Sequence, residues 1–179
     1  MHWKEDSAEE GDLLRNALAG CEKAWADLFR MHYHRVYAFA FRSGLSAEDA
    51  EDAAQEVFVK AARYLETFKG DSAFKNWLYG IAHHAVMDLL RKRGRREVLL
   101  ERLHENDTTS KCSAAAKHTE VGDVLGQLPD DLRMAVVLIY YEGKTHKEAS
   151  KIMDCAETTV SWRIYIAKKR LRKLLEKRG

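Results

Sequence analysis

The stretch "WLYGIAHHAVMDLLRKRGRR" at positions 77–96 sets Tyr79, His83 and His84 just ahead of five basic side chains, Arg91, Lys92, Arg93, Arg95 and Arg96. At about 100° per residue on a helix, the neighbouring His83 and His84 point on diverging bearings, so one metal ion cannot take both. The same holds for His32 and His34, which lie about 200° apart. Aromatic rings interleaved with cations suit a different chemistry, the stacking of unpaired bases and the neutralising of their backbone, at about 1–3 kcal/mol per stacked base. A solvated helix whose basic tail complements the dipole at its own carboxyl end accounts for the same residues equally well.

Two other clusters carry charge in a pattern. Asp49, Asp52 and Glu56 recur at spacings of three and seven with Gln55 beside them, which makes an acidic ridge along one side of a helix. Such a ridge repels nucleic acid, and is either plain solvated surface or a dock for a basic protein helix. Near the carboxyl end, a short helix, a turn of about four residues and a longer helix running into "AKKRLRKLLEKR" have the layout of a helix-turn-helix. Thr158, Trp162, Tyr165 and Lys169 point away from its apolar stripe, and Thr159 and Ser161 flank its start. Packing alone does not require an exposed Trp and Tyr beside eight basic residues between Arg163 and Arg178. Residues near the start of such a helix reach base edges, whereas cations such as Arg163 and Lys168 suit phosphates.

Composition narrows the field. The chain has 179 residues, 46% hydrophobic and 32% charged, enough for one medium core or two small ones. No apolar run approaches the roughly 20 residues that span a bilayer, and "MHWKEDSAEEGD" lacks the order of a signal peptide, so a cytoplasmic protein with no membrane insertion is expected. Cys21, Cys112 and Cys155 are scattered, which favours idle thiols over disulfides. A metal-sensing cluster of His104, Cys112 and His118 is a minor alternative. H-E-x-x-H, a glycine-rich phosphate loop and a nucleophile elbow are all missing, so neither an enzyme nor a cofactor is expected. The net charge of +2 hides a polarity: residues 1–90 carry 10 basic and 15 acidic side chains, residues 91–179 carry 20 and 13.

The elements that must position these clusters are helices throughout. Only one proline, Pro129, interrupts the chain, and apolar residues recur at three, four and seven. Asp12 is expected to cap a first helix, and Trp25, Leu28, Phe29, Val36 and Ala40 mark a second. Ser46 with Asp49 caps a third, striped by Ala50, Ala53, Ala54, Val57, Phe58, Ala61 and Leu65. After the turn "FKGDS", a fourth opens near Ser72 with Phe74, Trp77, Leu78, Ile81, Ala85 and Leu89 inward, leaving Tyr79, His83, His84 and Met87 on the outer face. The pattern dissolves over 97–118, the composition of a tether. A second unit over 119–179 turns at Pro129, stops at Gly143 and restarts on a Thr145–Glu148 capping box, and its last helix buries Val160, Ile164, Ala167, Leu171 and Leu174. The expected architecture is all-α, two small helical domains at 1–96 and 119–179 on a flexible linker.

On these residues a resemblance becomes specific. "DAEDAAQEVFVKAARYLETFKGDSAFKNWLYGIAHHAVMDLLRKRGRR" resembles region 2 of extracytoplasmic-function RNA polymerase sigma factors, and "LPDDLRMAVVLIYYEGKTHKEASKIMDCAETTVSWRIYIAKKRLRKLL" resembles their region 4. The resemblance implies that Asp49, Asp52, Gln55 and Glu56 dock core RNA polymerase. It implies that Phe68, Lys69, Asp71 and Ser72 surround an extruded base of the minus-ten element, with Trp77, Tyr79, His83, His84, Arg91, Arg93, Arg95 and Arg96 along the strand. It also implies that Thr158, Thr159, Ser161, Trp162, Arg163, Tyr165, Lys168 and Lys169 meet the minus-thirty-five duplex, and that an anti-sigma factor wedges between the domains.

The sequence departs from the family pattern at several of these positions. His84 stands where Asn is usual, His83 where Arg is often found, Ser161 and Ile166 where basic residues are typical, and Trp162 where a small one is. Fewer direct hydrogen bonds to bases follow, with apolar contact to thymine methyls as a substitute. Asp154 replaces a common Gly, tolerably, since Asp enters the left-handed region more readily than most residues. A helical regulator that binds duplex without polymerase explains the carboxyl half but leaves the acidic and aromatic helices without a role.

Overall fold

The computed structural model describes residues 8–103 and 120–176, and every regular element among them is helical. The first domain contains α1 (Ala8–Leu18), α2 (Glu22–Arg42), α3 (Ala47–Tyr64), a short 3-10 turn (Leu65–Thr67) and α4 (Phe74–Leu103). The second contains α5 (Glu120–Gly126), α6 (Asp130–Val136), a π turn (Val137–Tyr141), α7 (His146–Ile152) and α8 (Glu157–Glu176).

Helix α3 forms as its sequence dictates. The Ser46 hydroxyl accepts the Asp49 backbone N–H at 3.0 Å, and the whole stripe from Ala50 to Leu65 is buried. Four alanines on that stripe let α2 and α4 approach closely, and Phe58 reaches up to Phe29 with ring centroids 4.8 Å apart, edge to face. Helix α1 begins earlier than expected: Asp12 lies inside it and pairs with Arg15 one turn on, so it does not cap. Helix α4 continues through Leu103, into the stretch read as linker, because "EVLLERL" contains good helix formers and no breaker. The remainder of that tether, with His104, Cys112 and His118, lies outside the described residues.

The inward face of α4 is rotated from the expected stripe. Phe74, Leu78, Ala82, Ala85 and Val86 are buried, while Trp77, Ile81 and Leu89 are only partly so. Tyr79, His83 and Met87, expected on the outer face, are buried as well, at 3%, 8% and 8% exposure. Tyr79 packs its ring on Phe39 of α2, centroids 5.1 Å apart, and is closed over by Glu142 and Lys144 of the second domain, whose apolar residues, Met134 among them, join the same continuous core. The turn after α2 shows how closely the domains meet. Gly44 has φ +105°, and a Cβ built there would lie 2.2 Å from Nη1 of Arg133 on the opposing α6. Beside it the Ser43 hydroxyl donates to the Met134 sulfur at 3.3 Å.

Candidate nucleic-acid and partner interfaces

The acidic ridge is fully presented. Asp49, Asp52, Gln55 and Glu56 are all exposed on α3, held rigid from behind by the alanine stripe. Glu56 pairs with Lys60 at 2.6 Å, Asp49 accepts the Ser46 hydroxyl at 2.8 Å and Gln55 is hydrogen-bonded to Tyr33 of α2, so three of the four carry a partner within the domain.

Around the turn that opens α4, the expected minus-ten residues divide into two groups. Lys69 and Asp71 are exposed, Ser72 and Trp77 half-buried, His84 exposed, and Arg91, Arg93, Arg95 and Arg96 line the exposed side of α4 further on. Phe68, in contrast, belongs to the core, 5% exposed, with its ring 5.5 Å from Phe74 and 5.4 Å from Trp77. Its place is to support the loop from beneath, since a ring flanked by two others is stabilised by staying covered. Tyr79 and His83 are covered by the second domain.

That cover is polar as well as apolar. The Tyr79 hydroxyl donates to the carboxylate of Glu142, which also accepts from Arg42 at 3.4 Å, and the Lys144 ammonium sits 4.9 Å from the Tyr79 ring. Asn76 donates to Glu148 at 2.9 Å. Burial, reinforced by the Glu142 carboxylate, raises the Tyr79 phenol well above its ordinary pKa. Burial first, then neighbouring His84, lowers His83 to about 4. Glu148 falls to about 2, chiefly because it accepts the Thr145 backbone N–H, with Asn76 contributing. His83 Nδ1, Asn76 Oδ1 and Arg133 Nε are buried here without a hydrogen-bond partner. A cavity of about 660 Å³ remains between the domains, with Asp71, Ser72, Trp77 and His84 on one wall and Lys147 and Lys151 on the other.

The helix-turn-helix is built as its sequence requires. Thr145 and Glu148 complete the capping box of α7, and Asp154 takes the left-handed conformation at φ +46° to turn the chain into α8. Val160, Ile164 and Ala167 are buried, and Trp162 and Tyr165 stand 59% and 64% exposed with Thr158, Ser161, Lys168 and Lys169 around them. Ser161 is steered by His146 Nδ1 at 2.8 Å, and Thr159 is half-buried. Arg163 turns inward, to Asp131 at 3.1 Å and the Cys155 sulfur at 3.7 Å, so its guanidinium braces the domain and does not share the outward face.

Sequence inspection missed Arg42, Asn76, Glu142 and Lys144 as site-forming residues. Each is an ordinary solvent-facing type within its own element, and only the juxtaposition of two domains brings them together. Missed too was the buried contact of Glu10 with His32, which joins α1 to α2.

Comparison with known proteins matches the Sigma-70 region 2 family over residues 28–96 and the Sigma-70, region 4 family over residues 118–171. The chain is 32% identical to the RNA polymerase sigma-H factor of Pseudomonas aeruginosa, over 94% of either chain. It is also 32% identical to the ECF RNA polymerase sigma-E factor of Escherichia coli, covering 87% of this chain and 88% of the relative. Among solved structures, the sigma factor RpoE in complex with the anti-sigma factor NepR from Bartonella quintana superposes with a TM-score of 0.69 at 27% identity, covering 86% of this chain and 98% of that one.

Proposed function

The chain belongs to the extracytoplasmic-function RNA polymerase sigma factors, transcription initiation factors that direct core polymerase to promoters, and from that premise we propose how its two domains divide the work. The exposed ridge of Asp49, Asp52, Gln55 and Glu56 grips a basic helix of core polymerase. The turn of Lys69, Asp71 and Ser72, with Trp77, Tyr79, His83 and His84 along α4, holds the opened minus-ten strand, and Arg91, Arg93, Arg95 and Arg96 neutralise its backbone. Helix α8 enters the major groove of the minus-thirty-five duplex through Thr158, Ser161, Trp162 and Tyr165, with Lys168 and Lys169 on phosphates and Thr159 and Arg163 supporting its seat. An anti-sigma factor holds the protein inactive by occupying the space between the domains, a reading supported by the similarity to a sigma factor solved in complex with an anti-sigma factor.

The observation that carries this assignment is the separation of surfaces by sign: an exposed carboxylate ridge on α3, set apart from aromatic and cationic surfaces on α4 and α8. A DNA-binding regulator acting alone has no use for the ridge. In vitro transcription with purified core polymerase on a promoter library tests it. Alanine at both Tyr79 and His84 is expected to impair promoter opening while leaving association with core enzyme intact. Normal opening by that variant removes the minus-ten assignment.

A further inference from the structure

A strand that is to lie along α4 must reach Asn76, Tyr79 and His83, and in this structure all three are at most 9% exposed. They are not covered by apolar packing alone. The Glu142 carboxylate, which follows directly on the π turn, is received by the Tyr79 hydroxyl and the Arg42 guanidinium, while the Lys144 ammonium lies against the Tyr79 ring. An anion held between a phenol and a guanidinium of the first domain is in the setting a backbone phosphate seeks. One helix turn away, the Asn76 amide, a group suited to a base edge, is spent on Glu148.

We propose that Glu142 and Glu148 form an autoinhibitory clamp, in which two carboxylates of the second domain occupy the groups of Arg42, Tyr79 and Asn76 that an unpaired DNA strand takes once the domains part. This rests on the minus-ten assignment made above and adds three things to it. The free chain is closed by an acidic mimic of its own ligand, and Arg42, at the end of α2, and Asn76, in the first turn of α4, are strand contacts in the open form. Strand and second domain exclude each other because both need the same three side chains. The strength of the clamp enters the apparent affinity directly: if one chain in about a hundred is open, single-stranded DNA binds about a hundredfold more weakly than to the open form. Holding the two domains on separate surfaces of core polymerase removes that penalty. The clamp also leaves the acidic ridge on α3 uncovered, so polymerase can engage the closed chain before it opens.

The test uses the full chain without polymerase and a fluorescein-labelled pool of random single-stranded 12-mers. Glu142→Gln with Glu148→Gln removes both charges, and glutamine at the third position of α7 still serves the capping box. The double variant is expected to show a larger radius of gyration by X-ray scattering, faster hydrogen exchange across residues 76–83, and single-strand affinity higher on the order of tenfold. Adding Arg42→Ala is expected to return part of that gain. An unchanged radius and exchange rate, or opening without a gain in affinity, overturns the clamp. Circular dichroism checks that the variant is folded; should it be unfolded, Glu142→Gln alone is carried through the same measurements and the same outcomes decide. Failure of the clamp is separable from failure of the minus-ten assignment, because the Tyr79 and His84 alanine variant is read in the polymerase complex, where the domains are already apart.

Discussion

Glu10 on α1 and His32 on α2 meet inside the first domain, Oε1 to Nε2 at 2.7 Å, with side chains 1% and 4% exposed. The His32 ring also stands edge-on to Phe74 at 5.5 Å, so one polar contact joins α1, α2 and the start of α4. Removing one partner leaves the other polar group buried with less to satisfy it, and such losses cost about 1–3 kcal/mol. Glu10→Ala is therefore expected to lower the free energy of unfolding by that amount, read as a lower urea midpoint at an unchanged slope. Replacing both residues with leucine restores much of the loss. A single variant within 1 kcal/mol of the parent shows that α1 is an ornament, not a brace.

That pair also marks where sequence inspection runs out. The stripe of α3, its Ser46 cap, the Thr145 capping box, the turn at Asp154 and the outward Trp162 and Tyr165 were all legible, because each depends on residues within one or two helical turns of one another. The burial of Tyr79 and His83 is not legible, since Tyr79 is covered by Phe39 of α2 and by Glu142 and Lys144 across the tether, and His83 faces Asp131 and Arg163 of the second domain. Phe68 was assigned to a base pocket from its place in a motif, although its ring completes the stack with Phe74 and Trp77. Arg163 was grouped with the phosphate contacts by charge alone, and its partner Asp131 lies on another helix. Local periodicity fixes elements, whereas contacts between elements decide which polar groups remain for a ligand.

His83 makes the domain interface sensitive to acid. Its closed-state pKa, about 4, lies below the ordinary 6.5, so the closed form binds fewer protons than the open one. Closure is therefore at full strength above pH 6.5 and weakens as pH falls from 6.5 toward 4, by about 1.4 kcal/mol per pH unit within that window. The groups facing His83 are His84 and Arg91 on its own helix, Asp131 on α6 and Arg163 on α8; Asp131 alone favours the proton. Glu148, lowered to about 2 chiefly by the Thr145 backbone N–H of its own domain, is at full strength above its ordinary 4.5, so from pH 6.5 down to 4.5 the change belongs to His83. The protection of amides 76–83, after division by their intrinsic exchange rate at each pH, is expected to fall between pH 7 and 5.5 in the parent chain. His83→Gln should flatten that dependence, and an equally steep variant refutes the assignment.

The acidic ridge predicts a loss confined to one partner. Asp49 and Asp52 are exposed on a helix backed by buried alanines, and reversing the charge of Asp52, which carries no part of the helix cap, leaves the fold alone. Asp52→Lys, which spares the Ser46 cap, is expected to weaken binding to core polymerase about tenfold or more at low salt, less at high salt. Asp49→Lys adds a cost of about 1 kcal/mol in stability through the cap. Pull-down at several ionic strengths measures both, and full retention of polymerase by the Asp52 variant excludes the ridge as its dock.

Helix α8 separates base reading from backbone holding. Trp162 and Tyr165 stand 59% and 64% exposed on α8 and carry no formal charge, so their contribution comes from contact with base edges, apolar through the rings and polar through the indole N–H and the phenol. Alanine at either is expected to cost about 1–3 kcal/mol on a matched minus-thirty-five element and little on a scrambled one, which erodes discrimination. Lys169→Ala should instead weaken both equally and reduce the salt slope by about one. Arg163→Ala belongs to a third class: with its guanidinium on Asp131 and Cys155, its loss lowers the melting temperature of the domain and leaves sequence preference unchanged. Promoter binding by the polymerase complex, titrated over salt on matched and scrambled elements, distinguishes the three. Equal losses on both elements for Trp162→Ala would return that ring to a non-specific role.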